Sequence, residues 1–298
     1  MTNHTAETGG YVRYNGVMTT TLATLQRTRN PDAAPFVKWV GGKRGILPQL
    51  EKLFPRRFER YFEPFVGGGA VYFHLQPEQA VISDLNAELI NTYRVVKDDV
   101  DALISHLHSH RNDEDYYYDM RAVSPDDLDP IARASRLIYL NRTCFNGLYR
   151  VNSKGGFNVP FGKHKNPTIC NEAGLRAASQ ALQGARIANR SYMAILSEAR
   201  AGDFVYFDPP YHPLTTTSNF TSYTADSFSA QDQRDLATAF AALADRGCKV
   251  MLSNSDTEFI RELYADFHIE TVMAPRMVNR DAAKRGPVAE VVVRNYKR

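Results

Sequence analysis

The run of four apolar residues at Phe204–Phe207 limits most strongly the folds that this chain can adopt. A strand with one solvent face alternates polar and apolar side chains, whereas an uninterrupted apolar run is typical of a strand buried on both faces of a parallel sheet. The residues Asp208-Pro209-Pro210-Tyr211 follow directly. We therefore expect them at the carboxyl end of a strand, where open α/β sheets bind their ligands.

The chemistry of this tetrapeptide suits an exocyclic amine on a flat ring. Such an amine is a weak nucleophile because its lone pair is delocalised into the ring. The Asp208 carboxylate and the Pro209 carbonyl can each accept one amine hydrogen, and the prolines fix the backbone. Tyr211 can stack on the ring. The tetrapeptide therefore favours methylation of an amine, and a plain proline-rich turn is the simpler alternative.

An earlier part of the chain predicts a second ligand-binding loop. The strand-like run Tyr61–Phe65 leads into the glycine loop Val66–Gly69 and then into a helix predicted for Ala70–Leu75. The next predicted strand, Val81–Ser83, ends at Asp84, which lies 17 positions beyond the first loop glycine. Glycines let the backbone approach a ligand closely, and dinucleotide folds place a ribose-binding carboxylate about 20 residues on. The unit therefore predicts a nucleoside ligand.

The glycine loop also indicates which nucleoside ligand is bound. It lacks the spaced third glycine of dinucleotide-binding loops, a departure that a cofactor without a pyrophosphate would tolerate. S-adenosylmethionine is such a cofactor, with an adenosine and a charged amino-acid tail.

The α/β pattern is interrupted in the middle of the chain. We predict a Rossmann-like α/β sheet domain formed by residues 34–91 and 190–298, with residues 92–189 as a small, mainly helical inserted domain. A turn at Ser153–Gly156 between two strand-like runs predicts that this insert carries a β-hairpin. Residues 1–33 are expected to be a poorly ordered extension.

Positive charge is concentrated in the insert. The net charge is only +3, yet residues 130–171 contain seven Lys or Arg residues and no Asp or Glu. Four aromatic residues are interleaved with them: Phe145, Tyr149, Phe157 and Phe161. Because bases stack on aromatic rings, this pattern predicts nucleic-acid binding, with a solvated basic face as the alternative.

Composition narrows the classes of protein to which this chain can belong. A hydrophobic content of 43% over 298 residues supports a substantial core, and no apolar run is long enough to span a membrane. The absence of a visible signal peptide and the three scattered cysteines predict a reduced, cytoplasmic protein without a zinc site. The alternating His106, His108 and His110 predict a solvated surface segment and no metal site.

Two polar loops are candidate contact segments. Leu214–Phe228 is long enough to be a lid or contact loop. A later loop carries Arg276, Arg280, Lys284 and Arg285, which predicts either phosphate contacts or a solvated turn.

Taken together, these motifs resemble those of the adenine-specific DNA methyltransferases in which the cofactor motif precedes the recognition domain and the catalytic motif follows it. The resemblance covers about residues 36–296. Phe36–Lys43 is similar to the amino-terminal cofactor segment of that family and Glu63–Gly69 to its methionine-side loop. Asp84–Asn86 is similar to its ribose-binding acid, and Asp208–Tyr211 to its catalytic tetrapeptide.

The resemblance implies S-adenosylmethionine as cofactor and assigns two sets of residues. The implied catalytic residues are Asp208, Pro209, Pro210 and Tyr211. The implied cofactor-binding residues are Trp39, Lys43, Glu63, Phe65, Gly67, Gly69, Asp84 and Asp208.

Part of the insert resembles the target-recognition hairpin of members that methylate the adenine of GATC. The matching stretches are Phe145–Arg150 and Phe157–Gly162, and in those members the matching Arg reads a guanine. The implied DNA-binding residues are Arg142, Phe145, Asn146, Leu148, Arg150 and Lys163. Several such relatives carry Arg-Tyr where this chain has Lys163-His164, and Lys lacks the planar fork of Arg.

The predicted function is methylation of the N6 amine of a flipped adenine in double-stranded DNA, within GATC, without a metal. A methyltransferase for RNA or protein glutamine and a non-catalytic DNA-binding relative are the alternatives. The sequence predicts no membrane association. It leaves open a separately acting cognate restriction endonuclease and the oligomeric state, for which a monomer is compatible.

Overall fold

A seven-stranded mixed sheet forms the centre of the computed structural model, which describes residues 29–153, 155–214, 228–275 and 286–297. The strands in these ranges are β1 (Tyr61–Glu63), β2 (Ala80–Asp84), β3 (Ala185–Asn189), β4 (Phe204–Phe207), β5 (Lys249–Ser255), β6 (His268–Ala274) and β7 (Val288–Arg294). Their order in the sheet is β3-β2-β1-β4-β5-β7-β6. The pairs among β1 to β5 are parallel, and β7 runs antiparallel to both β5 and β6. The predicted α/β sheet is therefore confirmed.

Helices connect and cover these strands. Within the described ranges the α-helices are α1 (Leu47–Glu51), α2 (Ala70–Leu75), α3 (Ala87–Asp98), α4 (Val100–Leu107), α5 (Glu114–Ala122), α6 (Pro130–Thr143), α7 (Glu172–Leu182), α8 (Ala230–Asp245) and α9 (Glu258–Leu263). The predicted capping pair begins α8: the Ser229 hydroxyl accepts from the Asp232 amide, and the Asp232 carboxylate accepts from the Ser229 amide. This capping box satisfies two backbone donors that the helix leaves without partners.

Strand β4 is buried on both faces, as its apolar run predicts. Phe204 and Tyr206 belong to one hydrophobic cluster, and Val205 and Phe207 belong to another. Successive side chains of a strand point to opposite faces, so the two clusters lie on opposite sides of the sheet. Side chains of α8 contribute to the second cluster.

The strand order reverses between β1 and β4. From β1 the chain continues outward to β2 and β3, whereas from β4 it continues outward to β5 on the other side. Adjacent loops at such a reversal leave a crevice at the carboxyl ends of the strands. The loops that follow β1 and β4 carry the two predicted ligand motifs, so both motifs lie at this crevice.

The predicted hairpin is present. Val151 and Phe157 form an antiparallel bridge, and the Asn152 amide donates to the Gly156 carbonyl at 2.9 Å across the turn. A small hydrophobic cluster supports it, formed by Tyr117, Tyr139, Leu140, Cys144 and Val159. Other side chains of α6, such as Leu137, join the main cluster on the sheet, so this helix contributes to both cores.

Two predicted boundaries need correction. The segment predicted as an insert, 92–189, includes β3, and this strand pairs in parallel with β2 in the central sheet. The part of the predicted extension at 1–28 lies outside the described residues. The last residues of the predicted extension, 29–33, are ordered, because the Asn30 amide donates to the Gln76 side chain at 2.9 Å and Ala33 is buried.

The prediction of a solvated histidine segment is wrong for His110. Its ring is buried and lies 2.7 Å from the Tyr116 hydroxyl and 3.0 Å from the Ser135 hydroxyl. Burial lowers the pKa of His110 to about 4, so the neutral ring is favoured at ordinary pH.

Other sequence expectations concern metals, membranes and the polar loops. The cysteines are all free thiols. No group of three His, Cys, Asp or Glu side chains able to hold a metal ion occurs in the described part of the chain. Among the helices with described coordinates, none has the length and apolar character to cross a bilayer. Most of the predicted lid loop, 215–227, and the basic loop at 276–285 lie outside the described residues.

Candidate active site

The tetrapeptide Asp208–Tyr211 begins directly at the end of β4. The Lys43 ammonium lies 2.8 Å from Oδ1 of Asp208 and donates to the Gly41 carbonyl at 2.5 Å. It also lies 4.8 Å from the centre of the Tyr211 ring, within range of a cation–π interaction. Only 4% of Lys43 is exposed. The structure thus brings the predicted residue Lys43 of the amino-terminal segment onto the predicted catalytic turn.

Two carboxyl groups with raised pKa values lie at the carboxyl ends of β1 and β4. Burial raises the pKa of Asp208 to about 6, although the neighbouring Lys43 ammonium lowers it. Burial raises the pKa of Glu63 to about 8, opposed by the hydrogen bond that the Tyr61 hydroxyl donates to it at 2.8 Å. Such perturbed carboxyl groups in a crevice are typical of functional sites.

A buried amide network holds the backbone of the turn. The Gln233 side chain donates to the Pro210 carbonyl at 2.9 Å and accepts from Asn254 at 3.0 Å. Asn254 in turn accepts from the backbone amide of His212 at 3.0 Å. The Pro209 carbonyl accepts no hydrogen bond from the described residues. This carbonyl and the Asp208 carboxylate are therefore the acceptors that the turn can offer to a ligand.

Tyr211 is also fixed by a side chain of β7, which lies two strands away from β4 in the sheet. Its hydroxyl donates to Oε2 of Glu290 in β7 at 2.8 Å. Glu290, Gln233 and Asn254 were not among the predicted site residues. A polar Gln233 on the buried face of α8 is a detectable signal, because a fully buried amide needs partners. No local pattern links Glu290 to a residue 79 positions away.

The glycine loop and Asp84 form a second part of the same crevice. Oδ2 of Asp84 accepts from the Gly67 amide at 3.1 Å, and Oδ1 accepts from the Asn86 amide at 2.9 Å. Burial raises the pKa of Asp84, while these backbone donors lower it. Gly67 has a φ of +46°, and a Cβ there would lie 2.8 Å from the Trp39 indole. The loop therefore requires glycine, and Trp39 packs directly on it.

The remaining predicted cofactor residues flank this loop. Gly69 has a φ of +68°, and a Cβ there would lie 2.5 Å from the Tyr93 hydroxyl. Phe65 stacks on Tyr192 with ring centres 5.3 Å apart and meets Phe228 edge to face. An aromatic cluster thus lies beside Asp84, the last residue of β2.

One short segment connects this crevice to the hairpin. Trp39 stacks on Tyr149 at 4.9 Å between ring centres. The Asn141 side chain, which is 1% exposed, accepts from the Lys38 amide at 2.8 Å and donates to the carbonyls of Lys38 and Gly147 at 2.9 and 3.0 Å. The amino-terminal segment therefore contacts both the glycine loop and the start of the hairpin.

The predicted DNA-binding residues fall into two groups. Phe145, Asn146, Arg150 and Lys163 are exposed, with Phe145 51% accessible. Nε of Arg150 donates to Oδ1 of Asn158 at 2.7 Å, which orients the guanidinium, and the Lys163 ammonium lies 3.6 Å from Glu114. These four side chains can reach a ligand on the hairpin surface.

The two other predicted DNA-binding residues are less accessible. Leu148 is partly buried, and Arg142 donates to the Phe36 carbonyl at 2.8 Å while burial lowers its pKa. The basic window also overstates the exposed charge, because Arg136 is buried against backbone carbonyls and Arg133 pairs with Glu88. The exposed positive charge is therefore smaller than the seven residues counted in the sequence.

Comparison with known proteins agrees with this arrangement. Residues 39–278 match the family model described as D12 class N6 adenine-specific DNA methyltransferase. The type II methyltransferase M1.LlaDCHI of Lactococcus lactis subsp. cremoris is 45% identical over 270 residues, covering 88% of this chain and 95% of its own length. The type II methyltransferase M.MjaIII of Methanocaldococcus jannaschii is 42% identical over 288 residues, covering 89% and 100%.

A third relative carries a different name. The DNA adenine methylase of Escherichia coli K12 is 35% identical over 261 residues, covering 86% of this chain and 93% of its own length. The crevice at the strand reversal and these matches define a DNA methyltransferase that acts on adenine. The chain belongs to the D12 class of N6 adenine-specific DNA methyltransferases.

Proposed function

We propose that this enzyme transfers the methyl group of S-adenosylmethionine to the N6 amine of an adenine flipped out of duplex DNA, within GATC. The observation that carries the proposal is the meeting of two motifs at one crevice. The Asp208 turn ends β4, the glycine loop follows β1, and Lys43 contacts Asp208 at 2.8 Å. The two acceptors of the turn suit the two hydrogens of an exocyclic amine.

The residues around the glycine loop fit S-adenosylmethionine. The Asp84 carboxylate keeps acceptor capacity beyond its backbone partners, among them the Gly67 and Asn86 amides, and can hold ribose hydroxyls. Gly67 and Gly69 let the backbone approach the ligand, and Phe65 and Trp39 supply flat apolar surfaces. When bound, the cofactor supplies a methyl group that its sulfonium makes electrophilic.

The turn would hold the target base for attack. Extruding an adenine costs a few kcal/mol, and stacking on Tyr211 offsets part of that cost. Asp208 and the Pro209 carbonyl accept the amine hydrogens and direct the nitrogen lone pair toward the methyl group. Asp208 does not need to be a strong base, because the amine becomes acidic only after it is methylated and water can take the proton.

The hairpin would select the site. Arg150 is exposed, and its contact with Asn158 fixes the plane of the guanidinium, which is the requirement for bidentate binding to guanine. Phe145 projects into solvent and can fill the space left by the extruded base. The names of the two type II relatives support a further proposal, that a separately acting restriction endonuclease accompanies this enzyme.

A methyl-transfer assay tests the proposal. The protein is incubated with tritium-labelled S-adenosylmethionine and duplexes that contain one GATC, one CATG, or one GATC already methylated at both adenines. We expect label in adenine of the first duplex alone. Equal labelling of the CATG duplex would refute GATC specificity. In parallel incubations with RNA or with protein, label there and none in DNA would refute the DNA substrate.

A further inference from the structure

Glu290 reaches the catalytic turn from a strand that carries none of the predicted motifs. In the sheet it lies opposite Ser255 of β5 and Val272 of β6, so antiparallel partners hold its backbone on both sides. Its Oε2 accepts the hydrogen of the Tyr211 hydroxyl at 2.8 Å. A carboxylate on a strand paired along both edges is a fixed point for that hydroxyl.

The surroundings of Tyr211 make its hydroxyl a hydrogen-bond donor. Burial and the nearby carboxyl groups of Asp208 and Glu290 raise the pKa of Tyr211 well above its ordinary value, so the phenol stays protonated. The Lys43 ammonium lies 4.8 Å from the ring centre. The ring is thus held at its backbone by the turn and at its hydroxyl by Glu290.

We propose that Glu290 is a positioning residue, whose carboxylate sets the plane of the Tyr211 ring on which the flipped adenine stacks. The inference rests on the proposed function, in which Tyr211 stacks on the base. A tyrosine held at one end only keeps rotational freedom that base binding would have to remove. A ring already held at both ends loses less freedom when it binds the base.

A competing explanation is an electrostatic effect on Asp208. Burial and the Glu290 carboxyl group raise the pKa of Asp208, whereas the Lys43 ammonium and a hydrogen bond with the Tyr211 hydroxyl lower it. The two explanations predict different behaviour for Glu290→Gln. The amide oxygen of Gln can still accept from the Tyr211 hydroxyl but carries no charge. Positioning therefore survives this substitution, whereas a charge effect does not.

Four variants test the inference on the full-length protein: Glu290→Gln, Glu290→Ala, Tyr211→Phe and the double variant Glu290→Ala/Tyr211→Phe. The single-turnover methylation rate is measured on a GATC duplex. We expect Glu290→Ala and Tyr211→Phe each to slow the reaction by about three- to tenfold, the double variant to be no slower than either, and Glu290→Gln to stay near wild type. Multiplicative effects in the double variant, or equal losses in Glu290→Gln and Glu290→Ala, would overturn the inference.

A fluorescence readout separates positioning from general damage. A duplex with 2-aminopurine at the target position becomes brighter when the base is unstacked, and stacking on Tyr211 quenches it. We expect brighter complexes with Glu290→Ala than with wild type or Glu290→Gln, and equal brightness in all three would contradict positioning. A fifth variant, Tyr211→Ala, separates the two proposals: if it keeps the wild-type rate, the proposed role of Tyr211 fails. If it is impaired while the double variant is multiplicative, only the role of Glu290 fails.

Discussion

The turn after β4 and the hairpin at Val151–Phe157 are built in opposite ways. The turn follows a strand buried on both faces. Side chains of α8 and β7 form hydrogen bonds with its residues, and Asn254 of β5 accepts from His212 directly after it. The hairpin has few backbone bridges and carries its predicted contact residues on the surface. Rigid surroundings suit residues that must hold reacting atoms, and exposed side chains suit residues that meet a long DNA groove. Substitutions in the turn should therefore affect both chemistry and stability, whereas those in the hairpin should affect recognition alone.

Asp208→Ala tests the chemical role of the turn and should have the largest effect. Loss of one preorganised partner of the amine should lower the methylation rate by about 10²–10³-fold or more, while DNA binding persists. The rate is measured by label transfer and binding by fluorescence anisotropy. Asp256→Ala, which removes a carboxylate paired with Arg261 outside the turn, serves as the control. A rate within tenfold of wild type would refute the assigned role of Asp208.

The pH dependence of the free energy of unfolding tests how strongly the turn and its neighbours are buried. The folded pKa values of Asp208 and Glu63, about 6 and about 8, lie above their ordinary values. An acid whose pKa is higher in the folded than in the unfolded protein stabilises the fold at low pH. This stabilisation is lost as the pH rises through the folded pKa. We expect the free energy of unfolding to fall by on the order of a few kcal/mol between about pH 4 and pH 8.

Glu63→Gln gives the matched comparison for this pH dependence. Urea denaturation at several pH values should show a shallower fall in the variant, because it lacks the buried group with the higher pKa. Identical slopes for variant and wild type would show that Glu63 does not titrate in this way.

Arg150→Ala tests the hairpin. We expect discrimination at one base of the site to weaken by about 1–3 kcal/mol, with the free energy of unfolding changed by less than about 0.5 kcal/mol. The measurement compares kcat/KM for GATC with that for duplexes changed at single positions. Arg176→Ala, which removes an exposed arginine paired with Asp101, is the control. Full discrimination at every base in Arg150→Ala would show that the hairpin assignment is wrong.

Lys163→Ala should have the smallest effect. Its exposed ammonium can contact a phosphate but cannot form a planar fork, so binding should weaken equally for all sequences. The slope of log affinity against log salt concentration should fall by about 1, and Lys163→Arg should restore it. A loss confined to GATC duplexes would instead make Lys163 a base-reading residue.

The difference between the two regions also explains what the sequence could predict. Strand β4 and helix α2 have the predicted bounds because apolar runs and glycine loops are local signals. Family resemblance assigned Lys43 and Asp208 to the same site, but their direct contact was not predicted, since no periodicity joins residues so far apart. The Glu290 contact depends on an antiparallel strand added to a parallel sheet, and nothing near Glu290 in the sequence specifies that pairing.

The errors have a related physical cause. From residue type alone, Arg136 was counted as part of a basic surface and His110 as part of a solvated segment. Both are buried, and neighbouring carbonyls or hydroxyls satisfy their polar atoms. Residues 185–189 were assigned to the insert as part of the interruption in the α/β pattern, yet they form β3 on the edge of β2. Such partners lie on distant elements and become visible only in the fold.

The position of Trp39 between Gly67 and Tyr149 has a consequence for protein engineering. Transplanting a hairpin from a relative to change the target site would leave Trp39 and Asn141 facing foreign partners. The unit to exchange in such a chimera is therefore discontinuous. The hairpin and residues 36–39 must be replaced together, although about a hundred positions separate them.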